Sequence, residues 1–501
     1  MSLLGLDVGT TGCKATAFNH DGSVIASAYR EYPLISPEPG WAELDSRRVW
    51  EDVKTCLGQV AAETKKDPIS ALAVSCQGEA TTALDADGNV LDRSPVSFDT
   101  RTAGLLSWWE ENVGRDRIFE ITGQPVAPLF TALKLQWMKQ NKPEIFSKAK
   151  KFLCYEDFVC HQLGLDPVAD YTIAGRTMLF DVQKHEWSEE LLDKVGLSPD
   201  HLARVAPSGE IIGKIPDKKA DELGLPRGIQ LVTGGHDQPC QTLGAGVIDP
   251  SVASYGIGTV ECIVPTFGKP VLNRTMLDNN ICCYDHVQRG LYIALVYNFT
   301  GGQLYRWYRD TFGETEKTES EKTGKDVYYI LDSKASTAPT NLLVLPHFTS
   351  TGVPHFDTHS RGAILGLTLG TTKGEIIRAI LEGITMELRF CVELLDKAGV
   401  PIKELRATGG GSKSDYWMQI KADIMGRPIR VPAVSEAGNL GCAILAGTAT
   451  GVYSSTAEAV ERLVKIDKSF EPVDNSVSYY NDRFALYMEL YPKLKDLFHR
   501  M

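Results

Sequence analysis

The sequence predicts an α/β protein made of two similar halves, and three observations carry that prediction. The chain has 501 residues, room for about two to four domains of ~100 to 200 residues each. An apolar stretch runs into a glycine-threonine turn in each half, Leu6-Asp7-Val8-Gly9-Thr10-Thr11 near the start and Tyr255-Gly256-Ile257-Gly258-Thr259 near the middle. Around the first turn the pattern reads strand, strand, strand, helix, strand, and a second copy of that order begins at Ala253. Glycine lets the backbone come close to an anion while N–H and threonine hydroxyl groups donate to it, so one such turn per half points to a phosphate-holding cleft between two domains. Taken singly, either turn also fits a plain hairpin.

The elements follow in order. Residues 2–33 read as a meander of strands at 3–6, 13–18 and 24–32, with Asn19-His20-Asp21-Gly22 as its second turn. Val49, Val53, Leu57 and Val60 recur at helical spacing over 45–64, and 69–75 returns to a strand pattern. In the second half, strands at 253–264 and 291–297 precede a helix at 302–310 and a strand at 341–345. The clearest helix is 373–397, opened by a Thr372/Glu375 capping box, striped by Ile376, Ile380, Ile384, Cys391 and Leu395, and ended at Gly399. Another, 415–425, opens behind Gly409-Gly410-Gly411-Ser412-Lys413-Ser414 and stops at Gly426-Arg427-Pro428. Residues 226–250 are rich in glycine and proline yet include apolar Ile229 and Val232, so they read as a structured crossing. The domain boundary is set near 250, giving domains 1–250 and 251–501.

Composition excludes several classes. Lys plus Arg is 52 against 64 for Asp plus Glu, a net charge of −12, and no basic run could track a phosphate backbone, so nucleic acid is not an expected partner. No apolar run reaches the ~18 residues of a spanning helix, so no membrane association is expected. Asp7 and Lys14 break any leader core, and a cytoplasmic protein is expected. Eleven cysteines without a CxxC spacing read as buried thiols, and ten histidines without HExxH give no dedicated zinc site. Any metal then arrives with a nucleotide.

Asp7 ends an apolar strand just before Gly9-Thr10-Thr11, where a carboxylate faces phosphates only with a cation between them. Such an aspartate orders magnesium, often through water, or hydrogen-bonds its own turn. Asp237, in Thr233-Gly234-Gly235-His236-Asp237-Gln238-Pro239, lies past another strand on a turn that two glycines open to a ligand. It is placed either as a general base for phosphoryl transfer or as a helix cap. Gly409-Gly410-Gly411 offers a bare surface for adenine or ribose, or a strand-to-helix corner. Gln77-Gly78-Glu79 and Asp99-Thr100-Arg101 suit a polyhydroxy ligand, or an ion pair such as Glu79 with Arg101. Trp41 could pack on a sugar face or in the core. Neither a Walker A loop nor a GxGxxG fingerprint is present.

Together these segments resemble the FGGY carbohydrate kinases, of the actin/hexokinase/Hsp70 ATPase superfamily, in the same order over nearly the whole chain. Leu6 to Thr11 is similar to the first phosphate motif, Gly40-Trp41 to Asp45 to the next landmark, Gly234 to Asp237 to the catalytic-aspartate segment and Gly258-Thr259 to the second phosphate motif. Gly301-Gly302 and 407–414, continued by 436–441, resemble the nucleotide-side segments, and Gly362 to Leu367 with 375–382 resembles the second signature. Departures gather at the sugar end. Leu129 is atypical before Thr131-Ala132-Leu133-Lys134, Gly78-Glu79 stands where xylulose kinases have Met-His and glycerol kinases Arg-Glu, and Ser97 replaces a common Trp.

The resemblance implies two actin-like (ribonuclease H-like) α/β domains with a catalytic cleft between them, the first binding sugar and carrying the base, the second binding nucleotide. It implies phosphorylation of a small carbohydrate by ATP with Mg²⁺, most simply a ketose such as xylulose. A glycerol-type polyol kinase, or an actin-like regulatory module without sugar kinase activity, remains as an alternative. Asp237 would be the base. Thr10, Thr11, Gly258, Thr259, Gly301, Gly302, Gly410 and Gly411 would bind ATP, and Asp7 would hold Mg²⁺ through water. Gln77, Gly78, Glu79, Asp99 and Gln238 would contact sugar. Tyr255 is taken to stand at the place of Asp7 in the second turn, and a homodimer is left open.

Overall fold

The computed structural model describes residues 1–501. Two mixed sheets organise it. The N-terminal sheet has the order Ile211–Lys214, Gln230–His236, Ile69–Cys76, Ser2–Val8, Gly12–Phe18, Val24–Glu31. Its first three strands in sequence form the antiparallel meander expected, and Ile69–Cys76 and Gln230–His236 join in parallel register. The C-terminal sheet repeats this plan: Val252–Ile257 and Glu261–Phe267 are an antiparallel hairpin, with Glu404–Thr408 and then Ile429–Pro432 parallel beside the first strand.

The strand expected at 341–345 is therefore not the fourth strand of the second copy. Leu343–Leu345 pairs only with Ala363–Leu365 in a separate two-stranded ribbon. The crossover is completed instead by helix Lys373–Lys397 and strand Glu404–Thr408. A short apolar run cannot say which sheet it joins, because pairing partners are set by contacts far away in sequence.

Local rules account for the elements that match. Asp45 accepts from Arg47 N–H and caps helix Ser46–Glu63. Thr372 and Glu375 form the expected capping box of Lys373–Lys397, whose Ile380, Ile384, Cys391 and Leu395 are fully buried while Ile376 is half-buried. Each such large apolar side chain stabilises the fold by ~1.5–3 kcal/mol through area removed from water, so Ile384→Ala, which also leaves a cavity, costs about 2–5 kcal/mol. Ten of the eleven cysteines are buried and all are free thiols. No helix is long and apolar enough to cross a membrane.

The two halves meet through helices Asp237–Gly244 and Ala437–Ala449. They cross at glycine: a Cβ on Gly244 would lie 1.8 Å from Ala437 O, and one on Gly441 2.0 Å from Cys240 O. Ala437–Ala449 also lies on the N-terminal sheet, where Gly5 has no room for a side chain against Asn439 O and Asn439 Nδ2 donates to Gly5 O (2.8 Å) and Lys14 O (3.0 Å). That crossing sets Asp7 and Lys14 of the first hairpin across one cleft from Thr408 and Gly409 of the second half.

Candidate active site

Strand Ser2–Val8 carries Asp7 to the cleft and turns at Gly9, whose N–H donates to Gly12 O at 2.9 Å. Gln77 braces the turn, donating from Nε2 to Gly9 O (3.1 Å) and accepting from Thr10 Oγ1 (3.0 Å). Gln77 thus supports the first turn, and Thr11 is exposed beside it. Asp7 Oδ1 accepts from Ser75 Oγ at 2.9 Å. Burial pushes its carboxyl up to about 6, against the opposing pull of the Ser75 bond.

The second turn is held differently. Gly258 N–H donates to Val260 O, Gly302 N–H donates to Gly258 O (2.8 Å), and Gly301 N–H donates to Thr259 O (3.1 Å). The N-terminus of helix Gly302–Phe312 is thereby fastened to the turn, where its dipole favours an anion. A Cβ on Gly301 would lie 2.7 Å from Glu261 and one on Gly302 2.6 Å from Gly258 O, so the approach requires both glycines. Gly258 and Thr259 are exposed.

Register corrects one expectation here. Counting back from Gly9 and Gly258, Asp7 corresponds to Gly256, and Tyr255 to Leu6. The neighbours agree: Ser75 lies beside Asp7, and Thr408 beside Gly256. Tyr255 is wholly buried and points its hydroxyl at Glu261 (2.6 Å).

Asp237 opens helix Asp237–Gly244 directly after strand Gln230–His236. The helix cap is His236, and no side chain closes it, so Asp237 is not spent as a cap. Its Oδ1 is buried without a hydrogen-bond partner. His236 Nε2 lies 3.2 Å away but out of line for a bond, and burial holds that imidazole neutral. The carboxyl is pushed up to about 7 by desolvation and then by the charges of Asp7 and Glu79. About a third of the side chain (35%) still reaches solvent through the cleft. Gly234 and Gly235 do not open this turn to a ligand, contrary to expectation. A Cβ on Gly234 would lie 2.0 Å from Val74 O, and one on Gly235 2.6 Å from Thr172 Oγ1, so they let the strand pack. Glu156 accepts from Gly234 N–H (2.7 Å) and Thr172 Oγ1 from His236 N–H (2.7 Å), which fixes the backbone that aims Asp237.

A cavity of about 270 Å³ lies between the domains, lined by Asp7, Lys14, Asp237, Gln241, Gly409 and Glu436 among others. A larger one, about 650 Å³, is a polar groove around Arg117, Lys184 and Glu190, on residues 77–210, which form an insertion between the sheet strands Ile69–Cys76 and Ile211–Lys214. It holds none of the expected site residues. Of the glycine triplet, Gly409 sits at φ +92° against Ile257 O, and a Cβ on Gly411 would meet Ile257 Cγ2 at 2.2 Å. Gly410 alone faces open space. Gly411 thus serves packing and Gly410 offers the bare surface.

At the sugar end, Glu79 is buried with its backbone at φ +64°. It pairs with Arg176, not Arg101. Asp99 is closed within the protein: it accepts from Ala42 N–H (2.7 Å) and from Arg101 N–H, Nε and Nη2 (2.7–3.0 Å). Arg101 in turn lies over Trp41, 3.9 Å from the ring centre, so Asp99 and Trp41 form one braced unit. Gln238 Oε1 accepts from Cys262 Sγ at 3.3 Å.

Two residues of the site were missed by the sequence reading. Lys14 faces Asp7 across the hairpin and reaches Glu436 of the other half, Nζ to Oε1 2.5 Å. Its signal was present, since a turn at 9–12 pairs 8 with 13 and 7 with 14. Arg176 comes from the insertion, almost 100 residues from Glu79, and no local pattern pairs them.

Asp7 and Asp237 do not make a three-ligand metal cluster with any neighbour. The donor set fits a hydrated divalent cation held by one carboxylate, since Asp7 keeps Oδ2 free. Comparison with known proteins agrees with the geometry. Residues 2–244 match the model of the FGGY family of carbohydrate kinases, N-terminal domain, and residues 253–450 that of its C-terminal domain. A xylulose kinase of Staphylococcus epidermidis is 28% identical over 99% of this chain and 97% of its own. A gluconokinase of Bacillus subtilis is 28% identical over 97% and 95%. The crystal structure of ligand-bound xylulose kinase from Lactobacillus acidophilus superposes with a TM-score of 0.91, covering 100% of this chain and 99% of that one at 26% identity.

Proposed function

Since this chain belongs to the FGGY family of carbohydrate kinases, and so is a phosphotransferase of two actin-like domains, we propose that it phosphorylates a ketose such as xylulose or a related small sugar, with Asp237 as general base. The observation that supports this assignment most is the Asp237 Oδ1 atom, a buried acceptor with no protein donor, at the foot of the interdomain cleft. A carboxyl near 7 is matched to taking a proton at neutral pH.

In the step proposed, a substrate hydroxyl passes its proton to Asp237 while its oxygen forms a bond to the γ-phosphorus of ATP. The bond from that phosphorus to the β,γ-bridging oxygen breaks, ADP leaves, and the proton is later released to water. The backbone N–H groups of Thr10, Thr11 and Thr259, which have no protein acceptor, cradle the phosphates, while those of Gly9 and Gly258 are spent on the turns themselves. Lys14 lines the same cavity and supplies positive charge there. Asp7, anchored by Ser75, is the residue that would hold Mg²⁺ through water; a bound Mg²⁺ neutralises charge on the phosphates. Gly410 is the candidate surface for adenosine. Residues 1–250 then carry sugar and base, and 251–501 the nucleotide.

ADP release measured across a sugar panel tests the assignment. Asp237→Asn is expected to lower kcat by ~10²–10⁴-fold while sugar binding stays measurable. Because the base must be ionised, wild-type kcat/KM rises with pH through about 7 and levels above it. Turnover of the Asn variant close to wild type would remove Asp237 from the role. Glu79 favours a glycerol-type polyol kinase as the second reading, and glycerol as the best substrate in that panel would establish it.

A further inference from the structure

The sugar end of the cleft holds a buried cation that is already spoken for. Arg176 is 6% exposed. Its Nε donates to Glu79 Oε1 at 2.6 Å, its Nη2 pairs with the same oxygen, and its Nη1 reaches Gln124 Oε1 (3.3 Å) and Cys282 Sγ (3.8 Å). The guanidinium also lies by two aromatic rings, 5.2 Å from the centre of Phe130 and 5.3 Å from that of Tyr284. Its donor edge is thus consumed and its faces are crowded. Lys134, the other buried cation here, is turned to the Glu79 carbonyl (Nζ to O 3.1 Å) and is 2% exposed. Neither presents a free positive charge to a ligand.

The acceptors are arranged the opposite way. Glu79 gives Arg176 only Oε1, and no protein group donates to Oε2. Its charge acts on Asp237, whose Oδ1 is likewise without a donor. His236 Nε2 lies 3.2 Å from Asp237 Oδ1 and against Gly78, the residue before Glu79, so the two donor-free carboxylates flank one imidazole and are suited to hydroxyl groups, which supply donors without adding charge. A third carboxylate brought among them would meet like charge and find no free cation, and like charges at close range cost several kcal/mol.

Gly78 makes the arrangement possible. A Cβ there would lie 3.0 Å from His236 Nε2 and 3.4 Å from Arg176 Cγ. The space that a side chain at position 78 would need is occupied by the imidazole and by the stem of Arg176.

We propose that Arg176 and Glu79 act as one neutral unit that selects an uncharged, hydroxyl-rich substrate over a sugar acid, with Arg176 as a positioning residue that turns Glu79 Oε2 to a substrate hydroxyl. The proposal rests on the kinase site assigned above and goes beyond it in naming the charge class of the substrate. Relatives differ on this point, since a gluconokinase and a xylulose kinase are equally identical to this chain.

The experiment is a comparison of kcat/KM for xylulose, ribulose, glycerol and gluconate on wild type, Glu79→Gln and Arg176→Lys. Wild type is expected to prefer its best neutral substrate to gluconate by at least about 100-fold, which is ~2.7 kcal/mol at 1.36 kcal/mol per factor of ten. Glu79→Gln, which frees the guanidinium from its counter-charge, moves that ratio toward gluconate by at least tenfold. Arg176→Lys keeps the charge but loses the forked geometry, so KM for the neutral sugar rises about tenfold while kcat and KM for ATP change less than threefold.

A wild-type preference for gluconate overturns the proposal without any variant, so poor folding of a variant cannot shield it. An unchanged ratio in Glu79→Gln overturns it as well. So does a fall in kcat with unchanged KM in Arg176→Lys. Preference for glycerol over both ketoses sinks the ketose reading and leaves this inference standing. No turnover on any of the four sinks both.

Discussion

The two glycine-threonine turns sit at the same place in the same plan, yet their charged partners are placed in opposite ways. At the first turn Asp7 and Lys14 face each other across the hairpin, both line the cleft, and Lys14 crosses it to Glu436. At the second turn the charges lie beneath the surface. Glu261 begins the return strand and meets Lys421 at 2.8 and 3.0 Å, with Tyr255 donating to the same carboxylate, and both ionic side chains are 0% exposed. At Gly256, where the first turn has Asp7, there is no side chain at all. Under the function proposed, the first turn keeps Asp7 for the ligand, and the second spends its charges holding itself in place, leaving the N–H and hydroxyl of Thr259 to meet the phosphates. On that reading a duplicated plan is divided into a half for chemistry and a half for holding.

Breaking the buried pair is the largest effect this division predicts. Lys421→Met leaves the Glu261 carboxylate desolvated without a counter-ion, which costs about 3–5 kcal/mol. Chemical denaturation should show that loss, while kcat of the protein that remains folded stays within about threefold. A stable variant with crippled turnover would erase the contrast between the turns, because the second pair would then be acting on the ligand. Glu261→Leu combined with Lys421→Met should recover much of the stability, since a well-packed apolar pair avoids the desolvation of both charges.

The same operation on the first turn should do the reverse. Asp7→Ala removes a half-buried carboxyl pushed up to about 6, so the fold loses little and stability at pH 8 holds or rises. If Asp7 holds Mg²⁺ through water, the metal concentration for half-maximal rate rises by ~10–100-fold, the range found when such supporting ligands are lost. A magnesium titration that superimposes on wild type would reassign Asp7 to its own turn.

How much of this division was legible in the chain differs between fold and site. The meander at the start and the long helix 373–397 with its Thr372/Glu375 capping box follow from local spacing and are found where the spacing puts them. The strand at 343–345 pairs instead with Ala363–Leu365, and the place beside Val252–Ile257 goes to Glu404–Thr408, a strand about 150 residues farther along that no local pattern ties to it. Asp7 and Asp237 line one cavity together with Gly409 of the glycine triplet. Lys14 was within reach of hairpin arithmetic and was overlooked. The Glu79–Arg176 and Glu261–Lys421 pairs, 97 and 160 residues apart, leave no local trace. Sequence spacing reports what one element does to itself, and charge pairing across an insertion is not of that kind.

The smallest predicted effect concerns Asp237, and its sign separates a group kept for chemistry from one kept for structure. In the unfolded chain its carboxyl titrates near 3.8; in the fold it is held near 7, first by burial. Between those values the native state binds the proton more tightly than the unfolded state does. Stability therefore falls as pH rises from about 4 to about 7, and the ionised form is a burden above that range. Asparagine has nearly the same shape and no charge. Asp237→Asn should accordingly raise Tm at pH 8, by only about 1–2 °C because a third of the side chain reaches solvent and screening blunts the cost. At pH 4 the gain should vanish, since wild type is then protonated as well. Loss of turnover together with a gain in Tm that grows with pH is what a strained catalytic base predicts, whereas a carboxylate retained for the fold would lose Tm on the same substitution. A drop in Tm at pH 8 would place Asp237 with the buried charges of the second turn.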